Sequence, residues 1–289
     1  GNRGLTAPPC AQAILCQDAH LFYPWRHFGN ETLILRLVIN YNKWILRRSL
    51  SHTALLLCQT PIAESRLRKM YAYNGHIAQL PNAISSDALQ GDDKHSVPTV
   101  LENRDHVLKL FCLTRYYPHK NLEKIVQMFA KFPHELEDVV VILTVAATDH
   151  PNAKRLLRSI DELQLGRHFS IVGPLKQHEL SGYYRHCQAL FLPTLLESFS
   201  GTYLEAMKFD CPILTSDLDF ARYICGDAAM YFDPWDIESL KNAILRLKNN
   251  PDLTMQMIAR GKERLCMSNP TWDEIALNLC THLQASARG

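Results

Sequence analysis

The sequence predicts an α/β protein with two domains, each organised around a parallel sheet. Short apolar runs rich in β-forming residues alternate with longer segments of helical periodicity, which is typical of βαβ units. The continuous apolar run at residues 139–145 indicates a strand that is buried on both faces, as parallel sheets require. The length of 289 residues corresponds to about two domains.

The first domain is predicted to span residues 1–90 and to be incomplete. Its strands are expected at residues 13–16, 54–58 and 77–80, separated by helices at residues 31–49 and 61–71. A doubly wound domain has about six strands, so we expect roughly three strand–helix units to precede this sequence in a longer reading frame. The polar stretch at residues 85–96 is typical of a linker and predicts a boundary near residue 90.

The second domain is predicted to span residues 91–266 and to contain one complete doubly wound sheet. Its six strands are expected at residues 107–113, 139–145, 170–172, 189–192, 212–215 and 229–232. Helices are expected between them, including residues 121–132 and 151–163, and after them at residues 237–247 and 251–266. A last helix within residues 267–289 is expected to pack back on the first domain.

Charge and composition exclude several classes of protein. The 31 Lys and Arg residues balance 29 Asp and Glu residues, and the net charge of +2 predicts no nucleic-acid partner. Nine cysteines without a C-x-x-C pair are expected to be buried free thiols, which suits a reducing compartment and predicts a cytoplasmic location. The longest apolar runs are well short of the roughly 20 residues that span a bilayer. The histidines show no metal-ligand spacing, so no metal site is predicted.

Residues 191–207 contain the most informative motif of the chain. A strand ends at Pro193, a loop of small residues follows, and a helix is expected from about Thr202. The N-terminus of such a helix binds anions, and Gly201 lets a phosphate approach the backbone closely. Glu205 is expected in the first helical turn, where its carboxylate can accept hydrogen bonds from a ribose diol.

The same motif has a simpler interpretation. Thr202 and Glu205 have the spacing of a capping box, and Glu197 can be a solvated acid of the loop. A second motif favours the binding site, because Arg115 and Lys120 also lie between a strand end and a helix start. A bidentate guanidinium and a lysine point charge at strand ends are the pair expected for a diphosphate.

These motifs resemble family 4 glycosyltransferases. The resemblance rests on the Glu197 to Glu205 spacing with Ser-Phe-Ser-Gly between the two acids, and on the Glu-Ala-Met that follows. It includes Pro-Ile-Leu-Thr-Ser at residues 212–216 and covers most of residues 105–250. The stretch from Cys-Gln-Thr-Pro to Pro-Asn-Ala-Ile, residues 58–84, resembles the part of the family that precedes the donor domain.

The resemblance implies a GT-B fold of two Rossmann-like domains and a retaining transferase. Such an enzyme moves a sugar from a nucleotide-diphosphate-sugar to a glycan or lipid-linked acceptor, and it needs no metal or other cofactor. By position, the implied residue roles are diphosphate binding by Arg115 and Lys120, ribose binding by Glu205, donor-sugar contact by Glu197, backbone contacts from Phe199, Ser200, Gly201 and Thr202, and an acceptor-side role for His20.

Two positions depart from the family pattern. Thr114 stands where the family usually has Gly before the diphosphate arginine, and Phe209-Asp210 replaces a small residue followed by Gly. Asp tolerates the left-handed conformation that Gly provides at a helix end, so we expect Asp210 to adopt it.

Two other classes of protein compete with the transferase. Nicotinamide and flavin enzymes share the doubly wound fold, but no predicted strand is followed by G-x-G-x-x-G, and the P-loop motif is absent too. The alternative that stays open is a catalytically inactive remnant that still binds nucleotide-sugars.

The helix at residues 31–49 predicts a further partner. Arg36, Asn40, Lys43 and Arg47 lie on one side of it, and apolar residues occupy the remaining arc. We expect the arc to be buried and the basic stripe to face outward. The stripe is either a solvated edge or a contact with an anionic membrane surface, at the inner face of the membrane.

Overall fold

The computed structural model describes residues 2–83, 97–102, 106–267 and 270–288. The chain divides into two compact units, residues 1–83 with 196–201 and 269–289, and residues 84–195 with 202–268. Both units contain parallel sheets with helices, which confirms the α/β prediction. The predicted linker at residues 85–96 lies outside the described residues, and the predicted domain boundaries stay predictions.

The first unit contains a three-stranded parallel sheet in the order β1-β2-β3. Its elements are β1 Gln12–Cys16, α1 Leu33–Leu50, β2 Thr53–Cys58, α2 Pro61–Tyr71 and β3 Ile77–Gln79, with α10 Trp272–Arg288 near the end of the chain. One face of this sheet carries a small core, in which Leu55, Leu57 and Ala78 pack with Ile275 of α10. Alternate residues of β2 therefore bury this helix against the sheet.

Helix α1 is apolar on most of its circumference but is covered on one side. Thr32 caps its N-terminus by accepting a hydrogen bond from the Leu35 backbone N–H, at 3.3 Å. The buried residues of the helix are Ile39, Leu46, Ser49 and Leu50. Within the described residues, the opposite side is exposed.

The predicted orientation of α1 is wrong at two points. The arc expected to be buried includes Leu37, Tyr41 and Trp44, which are 61%, 58% and 51% exposed. Lys43, expected in the outward stripe, turns inward, where its Nζ donates to the Tyr23 carbonyl at 3.3 Å and lies 5.1 Å from the Phe28 ring centroid. When apolar residues occur all around a helix, the sequence pattern does not predict which side packs against the rest of the protein.

The second unit contains a six-stranded parallel sheet in the order β6-β5-β4-β7-β8-β9. Its strands are β4 Leu108–Cys112, β5 Val139–Leu143, β6 Phe169–Ile171, β7 Ala189–Leu192, β8 Ile213–Ser216 and β9 Ala229–Phe232. Its helices are α3 Leu122–Lys131, α4 Pro151–Glu162, α5 Leu180–His186, α6 Gly201–Lys208, α7 Asp219–Cys225, α8 Ile237–Asn249 and α9 Pro251–Met267. All six predicted strands are confirmed, with bounds shifted by no more than a few residues.

The strand order reverses direction between β4 and β7. Strands β5 and β6 extend from one side of β4, and β8 and β9 extend from the far side of β7. In open α/β sheets, ligands bind in the crevice beyond the carboxyl ends of the strands at such a switch point. The segments that leave β4 and β7 are therefore the natural place for a site.

The cysteines are free, as predicted, but they are not all buried. Six are buried, whereas Cys10, Cys266 and Cys280 are exposed. Burial raises the pKa of Cys112 to about 12, against the opposing charge of Lys120. A buried thiol of this kind is inert, because the thiolate is the reactive form.

Among the described residues, no helix combines the length and apolar character needed to cross a membrane. The exposed apolar side of α1 belongs to a helix whose 18 residues include four cations, Arg36, Lys43, Arg47 and Arg48. Any partner that covers the apolar side of α1 therefore has to accommodate the positive charges beside it.

Candidate donor-binding site

The segment after β4 brings two cations to the carboxyl edge of the second unit's sheet. Arg115 is exposed, and Lys120 is half-buried at the end of the 3-10 turn Pro118–Lys120. Asn121 follows with φ 59° and starts α3 from the left-handed region, which Asn adopts more readily than most residues. Its side-chain amide donates to the Pro234 carbonyl at 2.8 Å and so anchors the turn.

Thr114 fits the position where the family usually has Gly. It does not adopt a positive φ, so its Cβ causes no backbone strain. Its N–H donates to Thr144 Oγ1 at 2.8 Å, and its own hydroxyl donates to the Arg115 carbonyl at 2.8 Å. The threonine therefore fixes the backbone immediately before Arg115.

A polar cavity of about 270 Å³ lies beside Arg115. It is lined by Arg115, Tyr116, Tyr117, Thr148, Asp149 and Pro174. These residues come from the loops that follow β4, β5 and β6. Asp149 joins two of these loops, because its Oδ2 accepts from the backbone N–H groups of Tyr116 and Ala146 at 3.2 and 3.1 Å.

Helix α6 begins one residue earlier than predicted. It starts at Gly201, so Glu205 lies beyond the first turn and not within it. Thr202 is inside the helix, so the two residues do not form the capping box that the spacing also allowed. Tyr203 anchors the helix to β8, since its hydroxyl lies 2.7 Å from Thr215 Oγ1.

The loops after β4 and β7 are joined by backbone contacts. The Leu195 N–H donates to the His119 carbonyl at 2.8 Å, and the Thr194 hydroxyl donates to the same oxygen at 3.4 Å. The cationic segment that ends at Lys120 therefore lies beside the segment that leads to α6. This is the switch point of the sheet.

Glu205 is held by residues that the sequence did not indicate. Its Oε2 accepts a hydrogen bond from the Tyr184 hydroxyl at 2.9 Å. Burial raises the pKa of Glu205, while hydrogen bonds from Tyr184 and from the Gln177 side chain lower it. A carboxylate with these donors has a fixed orientation and remaining acceptor positions.

Four predicted donor-site residues belong to the first unit. Glu197, Phe199, Ser200 and Gly201 lie within residues 196–201, which cluster with that unit. Ser200 is buried and the other three are half-buried. A Cβ built on Gly201 would meet no described atom within 4 Å, so packing does not require Gly there. The roles of these residues stay predictions.

His20 lies between two carboxylates in the first unit. Its Nδ1 is 2.8 Å from Asp18 Oδ1, and its Nε2 is 4.0 Å from the buried Glu31 Oε1. The Phe28 ring meets the imidazole edge-on at 4.9 Å. The sequence did not indicate that Asp18 and Glu31 flank His20, although Asp18 has the typical position of a cap for the turn Ala19–Leu21. Asp18 and the Phe28 ring hold the imidazole in a fixed orientation.

The second unit is a Rossmann-like unit with cations and a helix start at the switch point of its sheet, an arrangement found in nucleotide-binding proteins. The comparisons give the family. Residues 96–264 match the glycosyl transferases group 1 family, and because this is more than half of the chain, the protein belongs to that family.

One curated relative is the O-antigen chain mannosyltransferase RfbU of Salmonella typhimurium. It is 22% identical over 214 residues, which cover 73% of this chain and 56% of RfbU. The chain thus spans little more than half the length of this relative.

Two solved structures share the fold. Sucrose-phosphate synthase from Thermosynechococcus elongatus superimposes with a TM-score of 0.72 at 19% identity, over 96% of this chain and 68% of that one. Anabaena HepE in complex with UDP gives a TM-score of 0.69 at 13% identity, over 95% of this chain and 72% of that one. The fold is accordingly GT-B, as predicted.

Proposed function

We propose that this chain is a retaining glycosyltransferase, which moves a sugar from a nucleotide-diphosphate-sugar to a glycan or lipid-linked acceptor. The observation that carries the proposal is the pair of linked segments at the switch point. One supplies Arg115 and Lys120, and the other leads to α6 and Glu205. Family membership supports the same reaction class.

The chemistry assigned to these residues is stabilisation of the leaving diphosphate. Arg115 and Lys120 supply positive charge, and the first N–H groups of α6 point toward the same end of the sheet. Groups fixed before the reaction stabilise developing charge without reorganisation, which is the largest single contribution in many enzymes. In this proposal no metal takes part, and the anomeric configuration is retained, as the resemblance to family 4 glycosyltransferases implies.

The base of the donor nucleotide can be identified by measuring which donors bind. RfbU is a mannosyltransferase, and the HepE structure contains UDP, so GDP-mannose and UDP-sugars are the first donors to compare. Calorimetry with each donor measures binding, and anomeric analysis of the product measures transfer and retention. A product of inverted configuration would contradict the retaining mechanism, and binding without transfer would favour the inactive alternative.

The ribose role of Glu205 is tested in the same assay. We expect Glu205→Ala to weaken nucleotide binding by about 1.5 to 3 kcal/mol, the contribution of a hydrogen bond to a charged group. Glu205→Gln is expected to lose less, because its amide oxygen still accepts a hydrogen bond. Unchanged affinity in a folded Glu205→Ala variant would contradict the assignment.

We further propose that α1 contacts an anionic membrane surface through its apolar side, defined here as the apolar face: Leu33, Ile34, Leu37, Val38, Tyr41 and Trp44. Leu33 and Ile34 are 73% and 76% exposed. The rings of Tyr41 and Trp44 are stacked at 6.1 Å, and both residue types favour the headgroup region of bilayers.

Charge complementarity selects this partner. The helix contains no acidic residue, and the exposed Arg36, Arg47 and Arg48 flank the apolar face. An apolar face with cations beside it is the pattern of helices that lie in a membrane interface. Each cation near an anionic surface contributes about 1 kcal/mol, so the binding is expected to be reversible and sensitive to salt.

A further inference from the structure

Glu205 is packed against an aromatic cluster that no functional role above uses. The cluster consists of Phe111, Tyr184 and Phe209, from β4, from α5 and from the residue that follows α6. The Tyr184 ring meets Phe111 edge-on at 5.2 Å and stacks on Phe209 at 5.6 Å. Tyr184 is only 1% exposed, so its ring is held from both sides.

Within this cluster, the Tyr184 hydroxyl forms a hydrogen bond with the Glu205 carboxylate. The Tyr184 O–H donates to Glu205 Oε2 at 2.9 Å, across 21 residues of sequence. Because the ring is fixed, its hydroxyl oxygen is held within hydrogen-bond distance of Glu205. Phe209, which stacks on the Tyr184 ring, stands where the resemblance to family 4 glycosyltransferases implies a small residue.

We infer that Tyr184 is a positioning residue, which holds the Glu205 carboxylate in the orientation that accepts the hydroxyl groups of a nucleotide's ribose. The inference rests on the proposed function, in which Glu205 binds the ribose. Phe111 and Phe209 contribute indirectly to the orientation of Glu205, because they hold the Tyr184 ring in place. Tyr184 itself does not contact the nucleotide.

The protonation states agree with this arrangement. Burial and the neighbouring carboxylate raise the pKa of Tyr184 well above its ordinary value, so the phenol remains a donor throughout the neutral range. Burial raises the pKa of Glu205, and the Tyr184 hydrogen bond opposes that rise. An ionised carboxylate accepts hydrogen bonds at all its lone pairs, whereas a protonated one does not. Tyr184 thus favours the form of Glu205 that binds a diol.

The test compares ribose with a sugar that lacks both hydroxyl groups. Affinities for UDP and GDP, and for their 2′,3′-dideoxy counterparts, are measured by calorimetry on wild type and on Tyr184→Phe between pH 5 and 8. We expect Tyr184→Phe to lower the affinity for the ribonucleotide about tenfold. The affinity for the dideoxynucleotide is expected to stay unchanged, because Glu205 has no hydroxyl to bind there.

The pH profile separates positioning from packing. Tight binding of the ribonucleotide requires ionised Glu205. The affinity is therefore full at high pH and decreases as the pH falls through the pKa of Glu205. Without the Tyr184 donor that pKa rises, and the loss is expected to begin at a higher pH in Tyr184→Phe than in wild type. Phe209→Leu is expected to give a smaller shift in the same direction, because the hydroxyl remains but its ring is held less firmly.

Tyr183→Phe is the matched control. It removes a phenol hydroxyl from the same helix, and its ring also contacts Phe111, on which it stacks at 5.2 Å. We expect wild-type affinities and an unchanged pH profile. Equal losses of ribo- and dideoxynucleotide affinity in Tyr184→Phe, or no loss at all, would overturn the inference. If wild type itself does not distinguish the two sugars, the ribose role of Glu205 fails and this inference fails with it.

Discussion

Arg115 and Lys120 differ in burial although they flank the same turn. Arg115 is exposed beside the polar cavity, whereas Lys120 is half-buried. We expect Arg115→Ala and Lys120→Ala each to lower the turnover number more than the affinity for the nucleoside part, because their charge matters most as the diphosphate leaves. The measurement is kcat at saturating donor, together with the dissociation constant of UDP and of uridine.

Arg158 offers a control for these two substitutions. It is an exposed cation of α4 in the same unit, and Arg158→Ala is expected to keep wild-type turnover. Wild-type kcat in both Arg115→Ala and Lys120→Ala would show that the diphosphate is bound elsewhere.

We expect His168 to make the stability of the second unit depend on pH. It is buried, its Nδ1–H donates to the Val139 carbonyl at 3.1 Å, and its Nε2 accepts from Arg167 Nε at 3.0 Å. Burial lowers the pKa of His168 from its ordinary 6.5, and the Arg167 charge acts in the same direction. The folded state therefore keeps the ring neutral at a pH where the unfolded chain takes up a proton.

The sign of the effect follows from that difference. Protons favour the unfolded chain below about pH 6.5, so stability is complete above that pH and falls as the pH drops. We expect the free energy of unfolding to decline between pH 7.5 and 5.5 in wild type, and to decline less in His168→Gln. The same slope in both proteins would assign the pH dependence to other groups.

At these positions the sequence predicted residue types better than partners. Asp210 adopts the expected left-handed conformation, with φ 56°, because the backbone need at a helix end is local. Glu205 could be placed near a helix start, but its contact with Tyr184 crosses a whole strand of the sheet. No local pattern reports such a pair, since the two residues lie on different helices, 21 residues apart in sequence.

Helix α1 shows the same limit at the scale of an element. Its existence and bounds follow from periodicity, and the prediction differs from the structure by two residues or fewer at either end. The periodicity does not predict which side of α1 is packed, because apolar residues occur all around the helix. Strands such as β7 and β9 were predicted to the residue, since a short apolar run in a parallel sheet is buried on both faces.

The apolar face of α1 predicts membrane binding that two kinds of variant weaken differently. The first variant combines Ile34→Gln, Leu37→Gln and Trp44→Gln. It is expected to reduce cosedimentation with anionic vesicles at low and at high salt. Arg36→Gln with Arg47→Gln and Arg48→Gln is expected to reduce it mainly at low salt, because ionic strength already screens the cations at high salt. Neutral vesicles are expected to bind wild type weakly.

Three exposed cations of α4 provide the charge-matched control. Lys154→Gln with Arg155→Gln and Arg158→Gln removes the same charge from the second unit and is expected to keep wild-type binding. Equal recovery of the control, the apolar variant and wild type with anionic vesicles would contradict the proposal. A change of oligomeric state in the apolar variant, with vesicle binding unaltered, would assign the face to a second copy of the chain.

At the scale of the whole molecule, the described residues form a hydrophobic core in each of the two units. Leu57 of β2 belongs to the core of the first unit, and Leu110 of β4 belongs to the larger core of the second. Because each unit has a core of its own, we expect calorimetry to record two unfolding transitions. Leu57→Ala and Leu110→Ala should each lower one transition, since removing a buried leucine side chain costs about 2 to 5 kcal/mol.

Nucleotide is expected to raise only the transition that Leu110→Ala lowers, because the residues assigned to diphosphate and ribose, Arg115, Lys120 and Glu205, lie in that unit. A nucleotide at 100 times its dissociation constant stabilises the folded state by about 2.7 kcal/mol. For a unit of this size, that corresponds to a rise of roughly 5 to 10 °C in Tm. A single transition that shifts equally in both variants would show that the units unfold together, and a nucleotide shift of the transition assigned by Leu57→Ala would move the binding site to the first unit.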